Sequence, residues 1–165
     1  MRRLPALLVL GALACGGASR ELVPGLDACE YCRMTISDAR FGGQVVSATG
    51  KARAFDAVEC LASFVLDATD PREAAQVRVS DFATARLVAV DSAVFLEGST
   101  IASPMGRSLV AFAATDDVGA LVARYGGRSR SWSEVLDLMR ADALTPGADR
   151  PGTGSQAPHR HEGDR

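Results

Sequence analysis

The segment GGQVVSATGKARAFDAVECLASFVLDA, residues 42–68, changes its period halfway along. Residues 42–48 and 52–55 read as two short extended runs, and Thr49-Gly50-Lys51 between them is a hairpin signal. From Ala57 onward the apolar residues Ala57, Leu61, Phe64, Val65 and Ala68 fall on one face of a helix, so the spacing predicts a helix over 57–68. Asp56 stands in front of it as the expected cap, because its carboxylate can accept from the free N–H groups of a first turn. A hairpin followed by a helix is a building unit of an α+β domain.

Working toward the C-terminus, the chain turns extended again after Pro71, over 77–82, 85–90, 93–98 and 108–113. A second helix is expected over 116–125, stopped by Gly126-Gly127, and a last one over 131–143. Ser131 and Glu134 have capping-box spacing, and Trp132, Val135, Leu136 and Met139 form the buried stripe of that last helix. The order hairpin then helix therefore occurs twice, over 42–68 and again over 93–125, without a residue-level repeat. The expected fold class is α+β, two modules in one domain. Phe55, Phe95 and Phe112 sit at strand positions, where core packing is their ordinary role.

The two ends read differently from the middle. MRRLPALLVLGALAC begins with two arginines and continues into an apolar run over 4–13, then small residues and Cys15, the plan of a bacterial secretory signal. The run is shorter than the roughly 20 apolar residues a membrane-spanning helix needs. Ala12, Leu13 and Ala14 ahead of Cys15 make a lipobox-like ending, so cleavage after residue 14 would leave Cys15 lipid-modified at the new N-terminus. The alternative is a soluble secreted protein that loses Cys15 with its signal. Either way the protein is expected to act outside the cytoplasm, as a periplasmic, membrane-anchored lipoprotein in the first case. Loss of Arg2 and Arg3 takes the formal charge from −2 to −4, and no basic patch invites nucleic acid. Residues 145–165 are rich in Pro, Gly and charge, a composition expected to be disordered. The expected division is thus signal 1–14, lipidated linker 15–24, folded domain 25–144 and tail 145–165.

Inside the domain, CEYCRM, residues 29–34, sets Cys29, Cys32 and Met34 within six positions. No strand leads into this Cys-x-x-Cys and no long helix follows it, so the thiol-activating helix N-terminus of a thioredoxin-type site is missing. A closed zinc site wants four ligands. The domain holds no histidine, since His159 and His161 lie in the tail, and Cys60 is its one further thiol. Zinc would then be one ligand short unless Asp56 or Glu59 contributed. Cu(I) accepts thiolate and thioether sulfur at low coordination number, and Cys29, Cys32 and Met34 suit it. The plain alternatives are a Cys29–Cys32 disulfide with Met34 as core filler, or a thiol-disulfide oxidoreductase using the same pair. Met105, held between Pro104 and Gly106 in a loop, is a second candidate thioether. Cys60, beside Leu61 and one turn from Phe64, reads from the residues alone as a buried inert thiol.

Taken in order, the lipobox cysteine, Asp27-x-Cys29-x-x-Cys32-x-Met34-x-Ile36, Phe55-Asp56-x-x-x-Cys60-Leu61, Ser103-Pro104-Met105-Gly106 with Ala111-Phe112, then Gly126-Gly127 and Trp132, resemble the NosL family. The resemblance runs along nearly the whole domain. It implies a pair of related ββαβ-type modules and a periplasmic copper-binding lipoprotein without enzymatic turnover. It further implies delivery of Cu(I) to nitrous oxide reductase during denitrification, with a membrane-bound Nos maturation complex as docking partner. It also brings Met105 and Cys60 forward as metal ligands beside Cys29, Cys32 and Met34. The sequence departs from the family pattern at Ala12, at Ala57, where a second acidic residue is common, and in having no histidine in the domain.

Overall fold

The computed structural model describes residues 19–114 and 117–144. The expected signal, Cys15 and the tail from residue 145 lie outside the described residues.

The first half is built around β1, Gly43–Val46. It pairs antiparallel with β2, Ala52–Phe55, on one side and with β3, Gln76–Ser80, on the other; β4, Leu87–Ala89, extends the sheet to the order β2-β1-β3-β4. A central strand has neighbours on both edges, and all four of its residues are buried. Helix α1, Val58–Asp67, crosses from β2 toward β3. Gly42 and Gly43 permit this crowding: a Cβ at Gly42 would lie 2.5 Å from the Phe55 carbonyl, and one at Gly43 would lie 2.8 Å from that of Arg78. No larger residue fits without moving backbone.

The second half repeats the plan. β5, Ala93–Glu97, is central, flanked by β6, Val110–Ala113, and β7, Arg128–Arg130, with α2, Val118–Tyr125, between the two flanking strands in sequence. In both halves the first strand lies between the second and third and is antiparallel to each. The class is α+β, as expected, with two small sheets and three helices. The last helix, α3, Trp132–Ala143, carries the complete capping box, with the Ser131 hydroxyl and Glu134 carboxylate each closing on the other's backbone.

Three differences from expectation are local. β7 reads as a loop in the sequence because Arg-Ser-Arg offers no apolar residue; antiparallel pairing with β5, Arg130 opposite Phe95, makes it a strand. A short 3-10 turn, Pro71–Ala74, capped by the Asp70 carboxylate, precedes β3. Asp56 does not cap α1; the capping position belongs to Ala57, which makes no side-chain bond, and Asp56 is left for another task.

The halves share one core. Val45, Phe55, Val58, Leu61 and Val79 of the first meet Phe95, Leu109, Ala111 and Val135 of the second, and α1 packs on α3. Phe55 and Phe95 are completely buried; each contributes roughly 1.5–3 kcal/mol by leaving water. Trp132, Leu136 and Met139 pack on this core from α3. Leu96, Val110 and Phe112 build a second cluster with Phe41, closed by Leu121, Val122 and Tyr125 of α2. At the N-terminal end, Leu22 is buried with Ile36 and Ala54, and the Gln44 side chain bonds both backbone groups of Arg20.

Candidate metal centre

Cys29 and Cys32 lie on a tight loop rather than on a helix. Its ends are bridged through Ala28 and Thr35, the Cys29 N–H donates to the Met34 carbonyl at 2.8 Å, and the Arg33 N–H to that of Cys29 at 3.0 Å. Arg33 turns the chain with φ of 66°, which a non-glycine residue adopts only where surrounding structure holds it. The Glu30 N–H donates to the Ala54 carbonyl at 2.8 Å, fastening the loop to β2 immediately before Phe55 and Asp56. One strand end therefore fixes the loop, the carboxylate that follows, and the first turn of α1 with Cys60.

The result is a compact group. Cys29, Cys32, Cys60 and Asp56 each place a donor atom within 4.8 Å of all the others. Cys29 and Cys60 are each 1% exposed and Asp56 is 4% exposed, while Cys32 is half-buried. All three thiols are free. Zinc–thiolate bonds are about 2.3 Å long, so a small inward movement would put all four donors on one ion.

The electrostatics divide the thiols. Cys29 is pulled down to about 6, chiefly because the Cys60 S–H donates to it, with the Cys32 and Asp56 backbone N–H groups adding to the effect against the cost of burial. Cys60 is pushed up because it supplies that proton to Cys29, and burial and the Asp56 charge push the same way. Cys32 is raised chiefly by burial. Its S–H lies 3.5 Å from Asp56 Oδ1, a thiol-to-carboxylate bond. One thiolate with two protonated thiols beside a carboxylate can bind a soft cation and release protons as it does so.

The methionines are placed differently. Met34 is 60% exposed and Met105 43% exposed. Met34 is tied to Cys29 through its carbonyl. Met105 occupies the turn over residues 103–106, closed by the Gly106 N–H on the Ser103 carbonyl at 3.0 Å. That turn touches α1 beside Cys60, because the Ser103 hydroxyl donates to Glu59 Oε1 at 3.0 Å. Of the two carboxylates weighed as a fourth zinc ligand, Asp56 joins the thiols and Glu59 turns to Ser103. The structure thus brings together Cys29, Cys32 and Cys60 and adds Asp56, which the sequence offers both as a helix cap and as a fourth metal ligand; the cap is not formed and the second placement is the one the fold supplies. The sequence signal for Asp56 is its position directly after β2, four residues before Cys60.

Three thiols and a carboxylate gathered where the cysteine loop meets the start of the first helix make this an α+β domain of two sheets with a sulfur-rich cluster that could hold a cation. The chain matches the NosL family over residues 19–139 and belongs to it. Among solved structures it is similar to the crystal structure of the copper chaperone NosL from Shewanella denitrificans, at 23% sequence identity and a TM-score of 0.58, over 70% of this chain and 94% of that one. None of the curated proteins matches it. No helix among the described residues is long and apolar enough to cross a membrane.

Proposed function

We propose that this protein is a Cu(I) carrier, with copper as cargo held by Cys29, Cys32 and Cys60 and completed by the thioethers of Met34 and Met105. The observation that carries the reading is the convergence of three sulfurs and the Asp56 carboxylate within 4.8 Å. Soft sulfur donors favour Cu(I), and family membership supports copper as the ion. In this reading the protein turns nothing over. It is exported, anchored through lipidated Cys15 in the periplasm, and hands copper to nitrous oxide reductase through a membrane-bound Nos maturation complex.

The oxidoreductase alternative loses support on geometry. Its nucleophile would have to be the low-pKa sulfur, yet Cys29 is 1% exposed, and the more accessible Cys32 is held protonated. Attack on a disulfide needs a thiolate that is both formed and reachable.

The zinc question changes with Asp56 in place. Three sulfurs and one oxygen are a complete tetrahedral donor set, so preference for Cu(I) rests on softness and not on a missing fourth ligand. The test is competition against a Cu(I) chelator under anaerobic, reducing conditions, with zinc as rival ion. Wild type should retain Cu(I) in excess zinc, and Cys29→Ser and Cys32→Ser should each lose most of the affinity. Copper retention by both variants at the wild-type level would remove the site from these residues.

A further inference from the structure

Glu59 is a buried carboxylate, 4% exposed, in the first turn of α1, and it sits one residue before a thiol of the cluster. Burying a carboxyl group costs free energy that must be recovered by partners. Its Oε1 accepts from the Ser103 hydroxyl at 3.0 Å, a bond across 44 positions that joins the two halves of the domain. Its Oε2 has no close hydrogen-bond partner among the described residues, and what else favours the charged carboxylate comes from its own backbone N–H and from the backbone and charge of Arg107, on the same loop as Ser103. Glu59 is therefore poorly accounted for by fold stability alone, since an apolar residue would fill the same place without the desolvation cost.

The loop it holds is built to be held. Between β5 and β6 the chain makes a long excursion whose base is stitched by the Ser99 hydroxyl and N–H, both donating to the Ser108 carbonyl, at 3.0 and 3.2 Å. Ser108 itself has φ of 52°, and Gly106 has φ of 82°. Ser103 is 7% exposed, and its Oγ also accepts the Leu109 N–H at 3.4 Å, so this one hydroxyl joins the tip of the loop, the start of β6 and α1. Met105 lies two residues beyond that anchor.

We infer that Glu59 is a positioning residue for metal binding: through Ser103 it fixes the turn carrying Met105 against the turn of α1 carrying Cys60, so that donors from the two halves of the chain meet one ion. The inference rests on the reading of Met105 as a ligand, and its consequence is specific. Breaking the Glu59–Ser103 bond should weaken copper binding only while Met105 has a sulfur to offer.

A double-mutant cycle separates this from general damage. Cu(I) affinity is measured by chelator competition on the full-length protein for wild type, Ser103→Ala, Met105→Leu and the double variant. Ser103→Ala should weaken binding about fivefold in the Met105 background, the size of one net hydrogen bond, and cause no further loss in the Met105→Leu background. Equal losses in both backgrounds, or no loss in either, would overturn the positioning role while leaving Met105 a ligand. An unchanged affinity for Met105→Leu alone would instead remove the ligand, and the positioning role with it. Should Ser103→Ala fail to fold, Glu59→Gln takes its place in the cycle. It keeps the volume and an acceptor oxygen while losing the charge, and the expected loss is about twofold, again only in the presence of Met105.

Discussion

Between pH 6 and pH 8 the reduced, metal-free protein should gain stability as the pH rises, and Cys29→Ala should lack that gain. The Cys29 thiol is held at about 6 in the folded protein, against about 8.5 for a thiol in an unfolded chain. Across this interval the unfolded chain holds a proton on the sulfur and the folded protein progressively does not, so unfolding takes up a proton and a higher pH favours the fold. The contribution is fully present above about pH 8.5 and lost as the pH falls through about 6, which amounts to about 2 kcal/mol between pH 6 and pH 8. Glu59 works with the opposite sign, because burial raises its carboxyl and the fold then holds the proton more tightly than the unfolded chain. Comparing wild type with Cys29→Ala at each pH cancels that contribution, and no histidine lies within residues 19–144 to confuse the window. Above about pH 8.5 the curve should bend down again, since Cys32 and Cys60 are both raised and keep their protons in the fold after the unfolded thiols ionise. Urea unfolding followed by Trp132 fluorescence, with reductant and chelator present, at pH 6, 7 and 8, reads the difference directly. A wild-type minus Cys29→Ala difference that stays flat would refute the thiolate assignment.

Other expectations follow from the same geometry. Met34→Leu and Met105→Leu should each leave the apo protein within about 1.5 kcal/mol of wild type while lowering Cu(I) affinity, with Met139→Leu, packed on the core from α3, as the control that leaves copper alone. Phe95→Ala, at a fully buried position where the two halves meet, should cost about 3–5 kcal/mol and lower the urea midpoint accordingly. Cys15→Ser should release the protein from the membrane fraction, and an inhibitor of lipoprotein signal peptidase should make a larger precursor accumulate; normal processing under the inhibitor would mark an ordinary secreted protein. Truncation after Ala143 should keep the thermal midpoint and the tight copper affinity, and loss of binding would move ligands into the tail.

The parts of the fold written in local pattern are legible in the sequence. The 42–55 hairpin has its turn residues between two short extended runs, and the last helix has its capping box in front of a buried stripe, so both can be read without knowing the rest of the chain. β7 cannot, because Arg128–Arg130 is a strand only by virtue of the partner it finds in β5. The site divides in the same way. Cys29 and Cys32 announce themselves by spacing. Cys60 looks like an ordinary core thiol among Leu61 and Phe64, and becomes part of the cluster because the Glu30–Ala54 backbone bond lays the cysteine loop against the strand that leads into α1. Asp56 is ambiguous for a physical reason: a carboxylate two residues ahead of a helix satisfies the local rule for a cap as well as offering a metal ligand, and only the fold chooses between the two by making its neighbour a thiol from 24 positions away.

The sulfur-bearing residues are graded in exposure, from Cys29 and Cys60 at 1% through half-buried Cys32 to Met105 at 43% and Met34 at 60%. On the copper reading, that gradient separates how tightly an ion is held from how quickly it can leave. Deep thiols set the equilibrium, while an acceptor's own sulfur or imidazole can approach from the open side and bond to the ion before any buried ligand lets go. Release would then proceed through a shared-ligand intermediate rather than a free ion in solution. With Met34 and Met105 as ligands, its rate would be governed by how readily these exposed thioethers step aside, so a carrier of this shape could bind its cargo very strongly and still deliver it promptly.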